Sequence, residues 1–135
     1  MKKLYIFLFI LFFTLLNSCS NLSERKVCQT LEDIMEASKK EDISFILDTA
    51  PFLRNQDNNI VIAYMQFFRN FAENQYDISF DCKKNNQYLV ILKSYNEKQN
   101  ENIKFVFTFM KEKNKFYITE DISIQSKFDD FKDID

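Results

Sequence analysis

The stretch Tyr76-Asp77-Ile78-Ser79-Phe80-Asp81-Cys82-Lys83 decides the fold, because apolar and polar residues alternate along it. A period of two is typical of a β-strand with one buried face and one face in water. Before Gln75 the apolar residues recur with a helical period of about 3.6 residues. The sequence therefore predicts a change from helices to strands at this point.

The segments on either side complete an α+β pattern. Three helices are predicted before the change, at about residues 24–40, 43–49 and 59–74, with Ser23 and Asp42 as N-caps of the first two. Three further strands are predicted at about residues 88–94, 103–111 and 116–124. Their short turns contain asparagine, which tolerates positive φ, and favour antiparallel pairing. We expect one α+β domain, residues 24–124, in which N-terminal helices pack on a curved antiparallel meander of about four strands.

The first nineteen residues have the order of an export signal. Lys2 and Lys3 precede an apolar run, residues 4–16, which is too short to span a bilayer as a helix. The run ends in Leu16-Asn17-Ser18-Cys19, a small residue followed by a cysteine. This segment closely resembles the signal of a bacterial lipoprotein.

The lipoprotein resemblance implies a modification and an address. Residues 1–18 would be a cleaved signal peptide, and Cys19 would carry a diacylglyceryl group on Sγ and an acyl group on its new amino terminus. Two or more acyl chains hold a protein stably on a bilayer. Residues 19–23 would then be the lipidated cysteine and a short tether. A serine at position 20, directly after Cys19, resembles lipoproteins that are sorted to the outer membrane rather than to the inner membrane. Whether the domain would lie on the periplasmic side or on the cell surface is left open.

The composition excludes several kinds of chemistry. The chain has no histidine and no glycine, so Ser-His and Cys-His pairs, histidine metal ligands and Gly-rich phosphate loops are absent. After removal of Lys2 and Lys3, sixteen basic residues remain against twenty acidic ones, a net charge of −4. This acidic balance argues against nucleic acid as a partner. We expect no catalytic residue, no metal site and no cofactor.

Two cysteines remain if Cys19 is lipidated. Cys28 lies beside the apolar stripe of the first helix, and Cys82 lies on the apolar side of the alternating strand, so both are expected to face the core. In an oxidising compartment they would form a disulfide that closes a loop of about fifty-five residues. The alternative is two buried free thiols. The sequence leaves both open.

The final hairpin carries a second resemblance. Residues 107–122, Phe-Thr-Phe-Met-Lys-Glu-Lys-Asn-Lys-Phe-Tyr-Ile-Thr-Glu-Asp-Ile, follow a helical half that ends in an aromatic helix. This order resembles the small cystatin-like and nuclear-transport-factor-two-like domains of bacterial lipoproteins, in which the space between helices and sheet sometimes binds small apolar ligands. Such a pocket would be lined by Tyr64, Phe67, Phe71 and Tyr76. The alternative is that these rings only pack the core.

Two surface features complete the functional expectations. Val106, Thr108 and Met110 form a fairly apolar stripe on the outer side of the sheet, and the acidic tail, residues 125–135, has apolar residues at every third position. We expect a non-catalytic envelope domain that binds or scaffolds an envelope protein partner. A module that binds a small apolar ligand is the alternative, and an enzyme is a third.

Overall fold

A computed structural model describes residues 22–96 and 101–126 as helices followed by strands. The helices are α1 (Leu22–Lys39), α2 (Ile43–Thr49), a short 3-10 helix (Pro51–Asn55) and α3 (Asn58–Ala72). The strands are β1 (Tyr76–Lys84), β2 (Gln87–Asn96), β3 (Glu101–Glu112) and β4 (Lys115–Ser126). The predicted α+β class is therefore confirmed. The predictions for residues 1–18, for Cys19 and Ser20, and for the tail beyond Ser126 lie outside the described residues.

Two of the helices, α2 and α3, begin at an aspartate that caps them. The Asp42 carboxylate accepts a hydrogen bond from the Phe45 N–H at 3.1 Å at the start of α2. At the start of α3, the Asp57 carboxylate accepts from the Asn59 N–H at 3.0 Å. Such caps satisfy N–H groups that have no partner within the helix. Ser23, the predicted cap of α1, lies instead inside that helix.

The four strands form one antiparallel sheet in the order β1-β2-β3-β4. Two-residue turns join β1 to β2 and β3 to β4, where Lys84 pairs with Gln87 and Glu112 pairs with Lys115. Asn85, Lys113 and Asn114 have positive φ at these turns. Asparagine therefore occupies positions where glycine is usual, as the sequence predicts.

Both edge strands of this sheet contain a bulge. In β1, Phe80 pairs with Val90 but Cys82 pairs with Leu89, so Asp81 is an extra residue. A bulge also interrupts β4, where three residues between Ile118 and Ile122 face a single residue of β3. Because side chains alternate between the two faces of a strand, an odd insertion reverses the face of every residue after it.

The core fills the space between the helices and one face of the sheet, which we call the inner face. α1 contributes the apolar stripe that its spacing predicts, and β2, β3 and β4 contribute alternate residues. The largest fully buried side chains are Val27, Leu31, Ile34, Met35, Ile46, Leu53, Phe68, Val90, Leu92, Phe107, Phe109 and Ile118. This arrangement leaves the other face of the sheet, the outer face, without a covering helix in the described residues.

Candidate functional site

Aromatic rings fill the space in which the sequence places a ligand pocket. Phe67 packs against Phe71 and Phe105, with ring centroids 4.8 Å and 5.4 Å away. Tyr64 packs against Phe68 at 4.9 Å in an edge-to-face arrangement. Such contacts are typical of a packed core. The structure therefore brings three of the four predicted residues together as core side chains, not around a described cavity.

The fourth predicted residue is not part of this cluster. Tyr76 lies at the start of β1 and is exposed, and it does not line the cavities described for residues 22–96 and 101–126. Tyr64 itself is half-buried as a residue, but its hydroxyl oxygen is shut off from solvent. Among the described residues no group hydrogen bonds to this oxygen. Burial raises the pKa of the Tyr64 phenol well above its ordinary value, so the group stays neutral.

The two cysteines lie on different sides of the sheet. Cys28 is half-buried on α1, and burial, followed by the charges of Glu32 and Glu24, raises the pKa of its thiol. Cys82 is exposed, and the bulge at Asp81 places it on the outer face opposite Leu89. The expectation that Cys82 faces the core is therefore wrong, because the alternation that supports it reverses at the bulge. Both cysteines are free thiols in the structure.

A cleft of about 700 Å³ lies between the 3-10 helix and the end of the β3–β4 hairpin. Its apolar lining comes from Pro51 and Phe52 on one side and from Met110, Tyr117 and Ile118 on the other. Its charged lining comprises Asp48, Arg54, Lys111, Glu112, Lys115 and Glu120. Apolar residues with charges of both signs around them are typical of surfaces that bind polypeptides. We call this feature the hairpin cleft.

A smaller cavity of about 360 Å³ adjoins the hairpin cleft and shares Asp48 and Lys115 with it. Lys26 of α1 and Asn114 of the β3–β4 turn also line this cavity. The start of α1 therefore lies close to the tip of the hairpin. On the helical side of the hairpin cleft, Arg54 Nη2 donates to Asp48 Oδ1 at 2.8 Å in an ion pair. Both side chains are exposed, so the pair stabilises this corner by less than about 1 kcal/mol.

No protein-family model, curated protein or solved structure matches this chain. The resemblances to lipoprotein signals and to cystatin-like domains therefore stay predictions. Within residues 22–96 and 101–126, no helix has the length and apolar character needed to cross a membrane. In the same part of the chain, no three His, Cys, Asp or Glu side chains are grouped as metal ligands.

The outer face carries a second, shallower feature. Val106 is half-buried and Thr108 is buried, although Met110 at the end of the same stripe is exposed. With Leu89 and Asp121, among others, Val106 and Thr108 line a depression of about 280 Å³. The stripe that the sequence predicts is thus present, but the neighbouring side chains cover much of it.

The hairpin cleft was not indicated by the sequence. Its residues come from three separate segments, and no periodic pattern links Pro51 and Phe52 to the hairpin. The single local signal is Pro51, which begins the 3-10 helix after α2 ends. The packing of this helix against β4 is a long-range contact that only the folded chain reveals.

Proposed function

We propose that this chain is a lipid-anchored cell-envelope protein whose α+β domain binds or scaffolds a partner protein and has no catalytic role. The anchor rests on the order of charges, apolar residues and cysteine up to Cys19. Helix α1 begins at Leu22, so only Ser20 and Asn21 separate the proposed lipid from the folded domain. The domain would therefore be held directly beside the bilayer.

The observation that carries the binding role is the hairpin cleft. Its volume of about 700 Å³ exceeds the 360 Å³ of the adjoining cavity and the 280 Å³ of the outer-face depression, and its lining combines Phe52, Tyr117 and Ile118 with charges of both signs. Aromatic residues at the centre of a patch with a charged rim are typical of protein interfaces. A small apolar ligand is less well supported, because Phe67, Phe71 and Phe105 occupy the space proposed for it. We therefore favour a polypeptide partner.

The anchor is tested by intact mass of the protein purified from bacterial membranes. We expect a chain that begins at Cys19 and carries the mass of two or three acyl chains. The variant Cys19→Ala should lose this added mass, whereas Cys28→Ala and Cys82→Ala should keep it. A chain that begins at Met1, or one cut elsewhere without lipid, would overturn the proposal.

The binding role is tested by placing a photo-crosslinking residue in the cleft of the full-length protein in its own cells. Met110 lines the cleft and is 46% exposed, and Ile62 on α3 is 45% exposed and lies outside it. These two positions are therefore a matched pair. We expect a discrete protein adduct from position 110 and none from position 62. Equal adducts from both positions, or none from either, would contradict binding at the cleft.

A further inference from the structure

One end of the molecule concentrates positive charge. Gln87 of β2 pairs with Met110 of β3, so the β1–β2 and β3–β4 turns lie at the same end of the sheet. The start of α1 is also at this end, because Lys26 lines the same cavity as Asn114 and Lys115. The exposed basic residues gathered here are Arg25, Lys26, Lys83, Lys84, Lys111, Lys113 and Lys115. We call this set the basic end.

The charge of the basic end opposes that of the rest of the chain. The three segments involved, residues 24–26, 81–87 and 111–115, contain three acids, Glu24, Asp81 and Glu112, and carry a net charge of +4. The chain from Cys19 onward has a net charge of −4, so its remaining residues carry −8. Asp33 and Asp48 line the adjoining cavity, but among the described residues no carboxylate forms an ion pair with any residue of the basic end.

Three of these lysines lie close to aromatic rings. The Lys83 ammonium lies 5.0 Å from the centroid of the Tyr88 ring. Lys111 and Lys115 lie 5.7 Å and 5.9 Å from the rings of Phe116 and Tyr117. These contacts favour particular positions for the lysine side chains without neutralising their charge. The basic end is thus a defined surface.

The proposed anchor precedes α1 in the chain, and α1 begins at this same end. Cys19 precedes Leu22 by three residues, which at full extension span roughly 10 Å. Lys26 follows Leu22 by about one helical turn, or roughly 6 Å along the axis. Lys39, at the other end of α1, is roughly 25 Å from Leu22. A bilayer that holds the lipid of Cys19 would therefore meet the basic end first.

We infer that the basic end docks on anionic lipid headgroups and so fixes the orientation of the domain on the membrane. This inference rests on the proposed lipid anchor. Positive side chains within about 10 Å of an anionic bilayer are attracted to it, and the attraction is screened by salt. The same orientation places the hairpin cleft, which includes Lys111 and Lys115, beside the membrane surface. A partner that fits the cleft would then be bound at the level of the headgroups.

The docking is tested separately from the anchor with residues 20–135, which lack the signal and Cys19. The hydrogen bonds, ion pairs and core contacts described above are made within residues 22–126, and circular dichroism verifies that this form is folded. The probe is sedimentation with vesicles of phosphatidylcholine alone or with 30% phosphatidylglycerol. The test variant is Lys84→Gln with Lys113→Asn, since asparagine tolerates the positive φ of position 113. The matched control is Lys39→Gln with Lys40→Gln, which removes equal charge from the far end of α1, where both lysines pair with Glu36.

We expect the parent form to bind the anionic vesicles only, and to lose that binding in 0.5 M NaCl. The test variant should bind these vesicles with a roughly 30-fold weaker affinity. The affinity of the control should change by less than twofold. Equal binding to both kinds of vesicle, equal weakening by the control, or no binding to anionic vesicles would overturn the inference. The proposed lipid anchor is contradicted by a different result, namely an intact mass that shows no lipid on Cys19. A lipidated Cys19 with no vesicle binding by residues 20–135 would leave the anchor intact and remove the orientation.

Discussion

Cys82 lies opposite Leu89 in the pairing of β1 with β2, on the face of the sheet that points away from Cys28. Phe80, only two residues earlier, lies opposite Val90 on the inner face. The extra residue Asp81 accounts for this reversal. A disulfide between Cys28 and Cys82 is not expected while the bulge at Asp81 keeps the Cys82 side chain on the outer face.

The two thiols should therefore be free and differ in reactivity. We expect residues 20–135, unfolded without reductant, to take up two alkyl groups, and to take up no more after reduction. In the native protein at pH 8, Cys82 should react first, because it is exposed and burial raises the pKa of the Cys28 thiol. Mass spectrometry of Cys28→Ser and Cys82→Ser variants assigns each rate. Uptake of alkyl groups only after reduction would show a disulfide instead.

Removal of the Tyr64 hydroxyl should stabilise the protein. The hydroxyl is buried without a partner among the described residues, and an unpaired buried polar group is destabilising. We expect Tyr64→Phe to raise the free energy of unfolding by about 1 kcal/mol in urea at pH 7. Tyr117→Phe, a half-buried control in the hairpin cleft, should change it by less than about 0.5 kcal/mol. A loss of stability in Tyr64→Phe would mean that the hydroxyl has a partner.

The same residue predicts a pH dependence. Burial raises the folded-state pKa of Tyr64 above the value of about 10 in the unfolded chain. Its neutral form is therefore favoured in the folded state, and the associated stability is present below pH 10 and lost as the pH rises above it. The advantage of Tyr64→Phe over the parent should grow by up to about 1.4 kcal/mol per pH unit above pH 10. An advantage that stays constant from pH 9 to 11 would contradict the assigned burial.

Phe107 should be among the most sensitive core positions. It is fully buried and touches the rings of Phe67 and Phe68, with centroids 6.4 Å and 5.5 Å away. We expect Phe107→Ala to lower the free energy of unfolding by about 3–5 kcal/mol. If the alanine variant does not fold, Phe107→Leu replaces it in the measurement, and we expect it to lower the free energy of unfolding by about 1–2 kcal/mol. Ile62→Ala, on the exposed side of α3, should stay within about 0.5 kcal/mol. Equal effects of the alanine changes at positions 107 and 62 would contradict this packing.

A glycine at the tip of the hairpin should stabilise the fold. Lys113 and Asn114 both have positive φ, at 47° and 66°, which fits a two-residue turn of type I′. Glycine adopts these angles without a steric cost. We expect Asn114→Gly to raise the free energy of unfolding by about 0.5 kcal/mol. The control is Asn86→Gly, in the β1–β2 turn at a position without positive φ, and it should not raise the free energy of unfolding. An increase as large as that of Asn114→Gly would indicate a general effect of glycine instead.

Features that depend on periodicity within one helix or strand were predicted correctly from the sequence. A feature that depends on the pairing of two strands was predicted wrongly. The stripe of Val27, Leu31 and Ile34 and the change of period at Tyr76 were correct, because each follows from the geometry of one element. The face of Cys82 was wrong, since the bulge arises from the pairing of β1 with β2. No local pattern reports such an offset.

The candidate site shows the same limit. Tyr64, Phe67 and Phe71 share one side of α3, and this follows from their spacing in the sequence. Whether they surround a space or fill it depends on rings from the sheet, such as Phe105, and no spacing within α3 contains that information. The hairpin cleft needed three segments to come together, so it became visible only in the structure.

The bulges in β1 and β4 have a consequence for crowding. A straight edge strand presents evenly spaced N–H and C=O groups that another chain can extend, and a bulge breaks that spacing. Copies of a protein tethered through Cys19 would meet in two dimensions, where their effective concentration far exceeds that in free solution. The bulges in β1 and β4 would hinder edge-to-edge strand pairing between such neighbours, so that each copy would diffuse independently even on a densely covered membrane.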